Sequence, residues 1–213
     1  MDDRVVLRQM ADAVRVSQMD ADWMDVSRLI GVDVAYAEDL QVACAVSLDR
    51  TTLAMLECHH VVSRVWAPYM PGLLSMREGA VMVRALEQMD LRHPVLVDGN
   101  GVLHPRRCGL ASSIGVELGA VTIGVAKSLL LGRVGERNGD SAPVIVDGDE
   151  LGRALYLGGR TRPIYVSVGN NISLQTAVDI VRACTRHSVP EPIRLAHMIA
   201  SSEARRLEGY RES

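Results

Sequence analysis

Residues 95–115 constrain the fold of this chain more than any other stretch. Three branched apolar residues at 95–97 follow Pro94, and Asp98 comes directly after them. This pattern predicts a short buried strand that ends in a carboxylate. Because ligands of open α/β sheets bind at the carboxyl ends of the strands, Asp98 is a candidate site residue. A simple turn is the alternative, since Asp is a common turn former.

The loop after this strand carries groups suited to phosphate. Gly99 and Gly101 allow a backbone or a substrate to come close to the acid. His104, Arg106 and Arg107 then place one imidazole and two guanidinium groups on the same loop. A carboxylate beside a histidine and paired arginines predicts phosphate chemistry. The alternative is that the two arginines are merely solvated.

A second carboxylate interrupts another apolar segment. Residues 29–36 predict a strand with Asp33 in its middle and apolar residues on both sides. A carboxylate buried there is costly unless it is hydrogen-bonded, paired or bound to a metal. Residues 41–48 and 53–62 predict two further strands in succession. We therefore expect an antiparallel meander at one edge of the sheet.

The remaining segments predict helices and strands around this sheet. Helices are expected at 4–19, 75–89, 110–118, 173–187 and 193–206, and strands at 121–124, 144–146, 154–156 and 164–168. Residues 132–142 are expected to form a loop. Ser75 and Glu78 match a capping box at the start of the second helix, which would explain Glu78 without any functional role.

The segment 68–72 places an aromatic residue on a rigid backbone. Pro68 and Pro71 restrict the chain around Tyr69 and Met70. Short, rigid, apolar loops are suited to wedging between stacked bases. An ordinary tight connection would have the same composition, so the segment alone does not decide between the two.

Composition narrows the class of protein. A chain of 213 residues with 48% hydrophobic content can bury a full core, and no linker divides it, so we expect one domain. The net charge of −3 weighs against a nonspecific nucleic-acid binder. Four cysteines without a C-x-x-C pair predict reduced, buried thiols. Without a signal peptide or a membrane-spanning stretch, a cytoplasmic protein is expected.

One residue is singled out by composition. Of the 23 basic residues, 22 are arginine and the other is Lys127. Lysine offers a compact ammonium where arginine offers a wide planar fork, so a tight site for a point charge cannot accept arginine. Lys127 also follows a predicted strand, as Asp98 does. It is therefore a candidate for a chemical role, with chance survival as the alternative.

Five segments together resemble the motifs of the endonuclease V family. They are GVDVAY (31–36), PYMPGLLSMRE (68–78), VDGNGVLHPRRCGLAS (97–112), TIGVAK (122–127) and PEPIRLAH (190–197). They occur in family order within residues 28–200. The resemblance implies an RNase H-like fold, that is, a mixed α/β sheet flanked by helices whose first three strands form an antiparallel meander. It also implies cleavage at the second phosphodiester 3′ to a deaminated base, above all inosine, with Mg²⁺ or Mn²⁺ as cofactor.

The same resemblance suggests roles for the candidate catalytic residues. Asp33 and Asp98 match the metal-binding aspartates, and Glu78 matches a third acid, which favours a metal ligand, or a residue that is both ligand and helix cap. Lys127 matches the active-site lysine that meets the scissile phosphate. His197 matches a late His or Asp close to the metal.

Substrate contacts are implied in the same way. The matching residues are Pro68, Tyr69, Pro71, Gly99, Gly101, His104 and Arg106. The segment around Tyr69 corresponds to a wedge loop that opens the duplex, and the glycine-rich segment corresponds to the loop that forms the base pocket. The implied partner is DNA or RNA that contains inosine or another deaminated base. We expect a monomer without membrane association.

Two departures from the family pattern stand out. Ser113 occupies a position where members often have His, which puts in question the support of the metal site. Asn170 and Asn171 replace a frequent His-Arg pair, which puts in question a phosphate contact. None of the principal acids is lost.

Three other classes of protein are alternatives to this interpretation of the sequence. Another RNase H-like nuclease, such as a junction resolvase or an RNase H, would share the acids, although the wedge segment separates it. A catalytically silent nucleic-acid-binding protein would not need to keep Lys127 and three acids. A small-molecule α/β enzyme would favour a G-x-G-x-x-G fingerprint after the first strand, where this chain has YAEDLQ (36–41).

Overall fold

The computed structural model describes residues 3–159 and 161–211. Its strands are β1 (Arg28–Ala37), β2 (Leu40–Asp49), β3 (Met55–Arg64), β4 (Val95–Asp98), β5 (Thr122–Ala126), β6 (Arg133–Val134), β7 (Ser141–Val146), β8 (Asp149–Leu155) and β9 (Ile164–Asn170). Its helices are α1 (Asp3–Ala13), α2 (Ala80–Leu86), α3 (Leu110–Leu118), α4 (Leu174–Ala183) and α5 (Glu191–Arg211). A π-helical turn at Ser75–Gly79 leads into α2.

The strands form one mixed sheet in the order β3-β2-β1-β4-β5-β9-β8-β7-β6. The first three strands pair antiparallel, which confirms the expected meander. The short strand β4 lies between β1 and β5 and pairs parallel with both. Residues 95–97 of β4 are fully buried, as expected for a strand covered on both faces. The carboxyl ends of these three parallel strands therefore meet at one edge of the sheet.

Helices cover both faces of this sheet. On one face, α2 and α3 pack against alternate residues of β1 and β4, among them Val32 and Val97. On the other face, α5 packs against β1 and β2 through small residues, among them Ala196 and Ala200. Gly31 permits this approach, because a Cβ there would lie 2.2 Å from the carbonyl carbon of Pro192. The α5 face of β1 is thus the face toward which Asp33 points, since side chains alternate along a strand.

Several expected element boundaries are wrong. Helix α1 ends at Ala13 instead of continuing to residue 19, and the expected loop at 132–142 contains β6 and the start of β7. The capping box is also wrong. Ser75 lies inside the π-helical turn, and its hydroxyl accepts a hydrogen bond from the side chain of Gln9 at 3.2 Å. By contrast, Ser173 does cap α4, since its hydroxyl accepts from the amide of Thr176.

The cysteines agree in part with the expectation of reduced, buried thiols. All four cysteine thiols are free; Cys58 is half-buried, and the other three are buried. Within residues 3–159 and 161–211, no helix is both long enough and apolar enough to span a membrane.

Candidate active site

The sheet brings Asp33 and Asp98 side by side. Val32 of β1 pairs with Val97 of β4 across the parallel ladder, and each aspartate is the next residue of its strand. Adjacent strands lie about 4.8 Å apart, and matching positions present their side chains on the same face. Asp33 is only 6% exposed. The two acids that the sequence singled out therefore share one partly enclosed edge of the sheet.

Each aspartate is contacted by another predicted site residue. Nδ1 of His197, on α5, lies 2.7 Å from Oδ2 of Asp33. Nζ of Lys127 donates a hydrogen bond of 2.5 Å to Oδ2 of Asp98. This contact follows from the register, because Asp98 pairs with Val125 and Lys127 lies two residues further along the same face. Four candidates from four distant segments thus meet.

Glu78 reaches this edge from the layer on the opposite face of the sheet. It is 9% exposed, and one carboxylate oxygen, Oε1, accepts a short hydrogen bond from the hydroxyl of Tyr36. Nε of Arg77 donates to the same hydroxyl at 2.9 Å, and its guanidinium lies 4.4 Å from the centre of the Tyr36 ring. Tyr36 and Arg77 thereby orient Glu78. Sequence reasoning missed both roles, although both residues lie within the quoted motifs.

The charges of the three carboxylates influence one another's pKa. Burial, together with the charge of Asp98, raises the pKa of Asp33 to about 6. Burial raises the pKa of Glu78 to about 7, with added contributions from Asp33 and Asp98. Burial lowers the pKa of Lys127, but the neighbouring Asp98 outweighs this effect and the net shift is upward. Such crowding of buried acids is typical of sites that are completed by a cation.

The donor set suits a hard divalent ion. Mg²⁺ prefers oxygen ligands, and it is usually held by one or two carboxylates while it keeps several waters. Asp33 and Asp98 provide such a pair. Within the described ranges, no group of three or more His, Cys, Asp or Glu side chains is arranged to hold an ion. The participation of Glu78 as a third ligand therefore stays a prediction.

The wedge segment, residues 68–72, is exposed at Tyr69 and held in place by hydrogen bonds at Gly72. Tyr69 is 66% exposed. The carbonyl of Gly72 accepts three hydrogen bonds, from Nε2 of His104 (3.0 Å), a terminal nitrogen of Arg106 (2.6 Å) and Nε2 of Gln9 (3.2 Å). Nε of Arg106 also donates to Oε1 of Gln9 at 2.6 Å. The wedge segment is thus hydrogen-bonded to the glycine-rich loop through His104 and Arg106, and to α1 through Gln9.

These contacts revise the picture of His104 and Arg106. His104 is buried, and burial lowers its pKa to about 4. Its Nδ1 accepts from the backbone amide of Arg106, so Nε2 carries the proton that is donated to Gly72. Both side chains support the wedge segment in this structure. Their direct contact with a substrate stays a prediction, and Gln9 is a positioning residue that sequence reasoning missed.

The glycine-rich loop packs tightly on the sheet. A Cβ on Gly101 would lie 1.9 Å from the carbonyl oxygen of Val168, so no larger residue fits there. The amide of Gly99 donates to the carbonyl of Val125 at 3.0 Å. A cavity of about 70 Å³ lies between this loop and the wedge segment, bounded in part by Tyr69 and Asn100. This wedge-loop cavity is the place where a base pocket was expected.

The two departures from the family pattern lie in different parts of the fold. Asn170 pairs with Thr122, the first residue of β5, whereas Asp98 pairs with Val125 near its last residue. Asn170 therefore lies at the other end of the strands from Asp98. Its buried amide accepts from the backbone of Ser17 and donates to Gly115, which makes it a structural tether. Ser113 lines a separate cavity of about 170 Å³ between α1 and α3. The effect of the two departures on phosphate contact and on support of the metal site stays a prediction.

Comparison with known proteins places this chain among similar sequences and structures. The model of the endonuclease V family matches residues 8–198. The endonuclease V of Thermofilum pendens is 42% identical over 200 residues, which cover 92% of this chain and 86% of that protein. The crystal structure of endonuclease V from Streptomyces avermitilis superposes with a TM-score of 0.89 at 35% identity, covering 97% of this chain and 94% of the other. Endonuclease V of Ciona intestinalis, in complex with a 24mer DNA containing an inosine followed by a ribo-adenosine, gives a TM-score of 0.86 at 28% identity and covers 97% and 100%.

Proposed function

Because the chain belongs to the endonuclease V family and has its RNase H-like fold, we propose that this endonuclease cuts nucleic acid beside deaminated bases. The bond cut is the second phosphodiester 3′ to inosine, with Mg²⁺ as cofactor and Mn²⁺ as a substitute. The reaction serves the repair of deaminated DNA or acts on inosine-containing RNA. The observation that carries this proposal is the adjacent pair Asp33 and Asp98, flanked by Lys127 and His197.

Asp33 and Asp98 would hold the metal through their carboxylate oxygens. A bound divalent ion supplies a nucleophilic water at neutral pH and relieves charge on the leaving oxygen. His197 orients Asp33 by its contact with Oδ2. Lys127 places a positive charge beside Asp98, where it stabilises the charge that develops on the scissile phosphate. Glu78, held by Tyr36, completes the acidic edge.

Recognition of the base requires that it leave the helical stack. Tyr69 stands exposed between Pro68 and Pro71 and would fill the space that the base vacates. The base would enter the wedge-loop cavity, where backbone groups of the glycine-rich loop read its pairing edge. Inosine presents a carbonyl and an N–H where adenosine presents an amine and a bare ring nitrogen. The hydrogen bonds to Gly72 fix the position of the wedge segment relative to the wedge-loop cavity.

A cleavage panel tests the proposed function. Matched DNA and RNA oligonucleotides, with inosine or adenosine at one position and in single or double strands, are incubated with the protein and Mg²⁺. We expect one cut, at the second phosphodiester 3′ to inosine, and none with adenosine. Asp33→Asn and Asp98→Asn should abolish the cut while gel-shift binding in Ca²⁺ remains measurable. Cleavage at the parent rate by both variants would contradict the proposal.

A further inference from the structure

A second cleft opens next to the acids, on the α5 face of the sheet. It has a volume of about 490 Å³ and is bordered by Lys127 and His197, the residues that contact Asp98 and Asp33. This size falls in the range of roughly 300–1,000 Å³ that is usual for ligand sites. None of the sequence motifs pointed to this cleft as a binding site.

The walls of this cleft combine positive charge with apolar surface. Arg162 and Arg194 line it together with Pro163 and Val189. The side chain of Arg194 is oriented by Glu191, to which its Nε donates at 2.8 Å. Arg162 is exposed, and within residues 3–159 and 161–211 no hydrogen bond or ion pair engages its guanidinium. A guanidinium beside an apolar wall matches the phosphate and the sugar or base face of a nucleotide.

The two cavities lie on opposite faces of the sheet, with the acids between them. The wedge-loop cavity is bounded by Leu110 of α3, which packs on one face. The second cleft is bounded by Ile193 of α5, which packs on the other face with Leu96. A nucleic-acid strand whose base occupies the wedge-loop cavity must pass the carboxyl ends of β1 and β4 before it reaches the second cleft.

We propose that the second cleft binds the nucleotide on the 3′ side of the scissile bond, and that Arg162 contacts the phosphate that follows it. This inference rests on the proposed function, because a cut 3′ to inosine puts the inosine and the downstream nucleotide on opposite sides of the acids. Arg162 is then a substrate-binding residue for the product strand. Arg194 lines the same subsite.

The expected kinetic signature is a change in binding rather than in chemistry. A phosphate contact away from the reacting bond is made equally in the ground state and the transition state, so its loss raises KM and leaves kcat unchanged. Loss of one charge-assisted hydrogen bond corresponds to roughly a tenfold change. Only substrates that carry the downstream phosphate should show it.

A pair of inosine oligonucleotides isolates this contact. One ends with a 3′ hydroxyl on the first nucleotide after the cut, and the other continues for several nucleotides. We expect the parent protein to favour the longer substrate by roughly tenfold in kcat/KM. Arg162→Ala should lose this preference. Arg205→Ala, an equal change of charge at an exposed position on the distal half of α5, should keep it.

The outcomes separate the subsite from the function on which it rests. If Arg162→Ala keeps the full preference for the longer substrate, or if the parent shows none, the subsite is wrong while the endonuclease activity stands. If the parent cuts neither inosine substrate, the proposed function fails and the subsite fails with it. Arg162→Gln repeats the test with a polar side chain, and thermal unfolding of each variant checks that the fold is intact.

Discussion

Nδ1 of His197 lies 2.7 Å from Oδ2 of Asp33, although 164 positions separate the two residues. The contact joins α5 to the middle of β1, and α5 can come this close because Gly31 and a series of alanines line the interface. Asp33 is buried beside a second carboxylate, so the imidazole fixes the orientation of an acid that few other side chains can reach.

Replacement of this imidazole should weaken metal binding. Partners that orient metal ligands typically contribute roughly 10–100-fold to metal affinity, so His197→Ala should raise the Mg²⁺ concentration for half-maximal cleavage by about that factor. Calorimetric titration with Mg²⁺ alone provides a second readout without turnover. Arg205→Ala on the same helix is the control. An unchanged Mg²⁺ dependence in His197→Ala would mean that the contact only supports the fold.

Lys127 offers a test in which the charge is kept. Its Nζ lies 2.5 Å from Oδ2 of Asp98, a spacing that suits a compact ammonium and not a wide guanidinium. Both Lys127→Arg and Lys127→Ala should therefore lose roughly 10²–10³-fold in kcat, with little change in substrate affinity. Single-turnover cleavage of an inosine oligonucleotide measures both. An arginine variant as fast as the parent would show that the lone lysine is an accident of composition.

The wedge role of Tyr69 predicts a difference between substrates. Unstacking a base costs a few kcal/mol in a duplex and less in a strand that is already unpaired. Tyr69→Ala should therefore slow cleavage of duplex inosine DNA more than that of the single strand, while Tyr69→Phe should keep the duplex rate. Trp23→Ala removes another exposed aromatic side chain and serves as the control. Equal losses on both substrates would exclude a wedge.

Glu78 should make the stability of the metal-free protein depend on pH. Its pKa is raised from 4.5 to about 7, chiefly by burial, so the folded state keeps a proton that the unfolded state has released. The stabilisation is fully present below about pH 4.5 and is lost as the pH rises through about 7. Relative to Glu78→Gln, which stays uncharged, the parent's free energy of unfolding should fall across this window. Urea unfolding of both proteins at several pH values measures the difference in their free energies of unfolding. If this difference does not change with pH, the raised pKa of Glu78 is wrong.

Local sequence patterns were sufficient for the two strands that carry Asp33 and Asp98. The apolar run before Asp98 and the apolar segment around Asp33 each predicted a buried strand, and both strands are present. The capping-box pattern at Ser75 and Glu78 failed, because both residues lie within a π-helical turn that has no side-chain cap. Whether the capping box or this turn forms depends on distant partners, namely Gln9 for the serine and Tyr36 for the glutamate.

The order of the family motifs and the presence of three acids and one lysine were decisive for the kind of enzyme, and the comparisons with known proteins agree. The motifs and the family match favour a nucleic-acid hydrolase over a small-molecule enzyme and over a silent binding protein. The motifs did not reveal the role of residues outside them. Gln9, which contacts Arg106, and Arg162, which lines the second cleft, are two examples.

The sequence by itself therefore determined which strands carry Asp33 and Asp98 and which chemistry such side chains suit, because strand periodicity and residue type are local properties. Only the tertiary structure decided that His197 meets Asp33, that Arg106 supports Gly72, and that a cleft opens on the α5 face. These contacts join residues far apart in the chain. They depend on the order of strands in the sheet and on how closely each helix packs against it, which no local pattern of residues encodes.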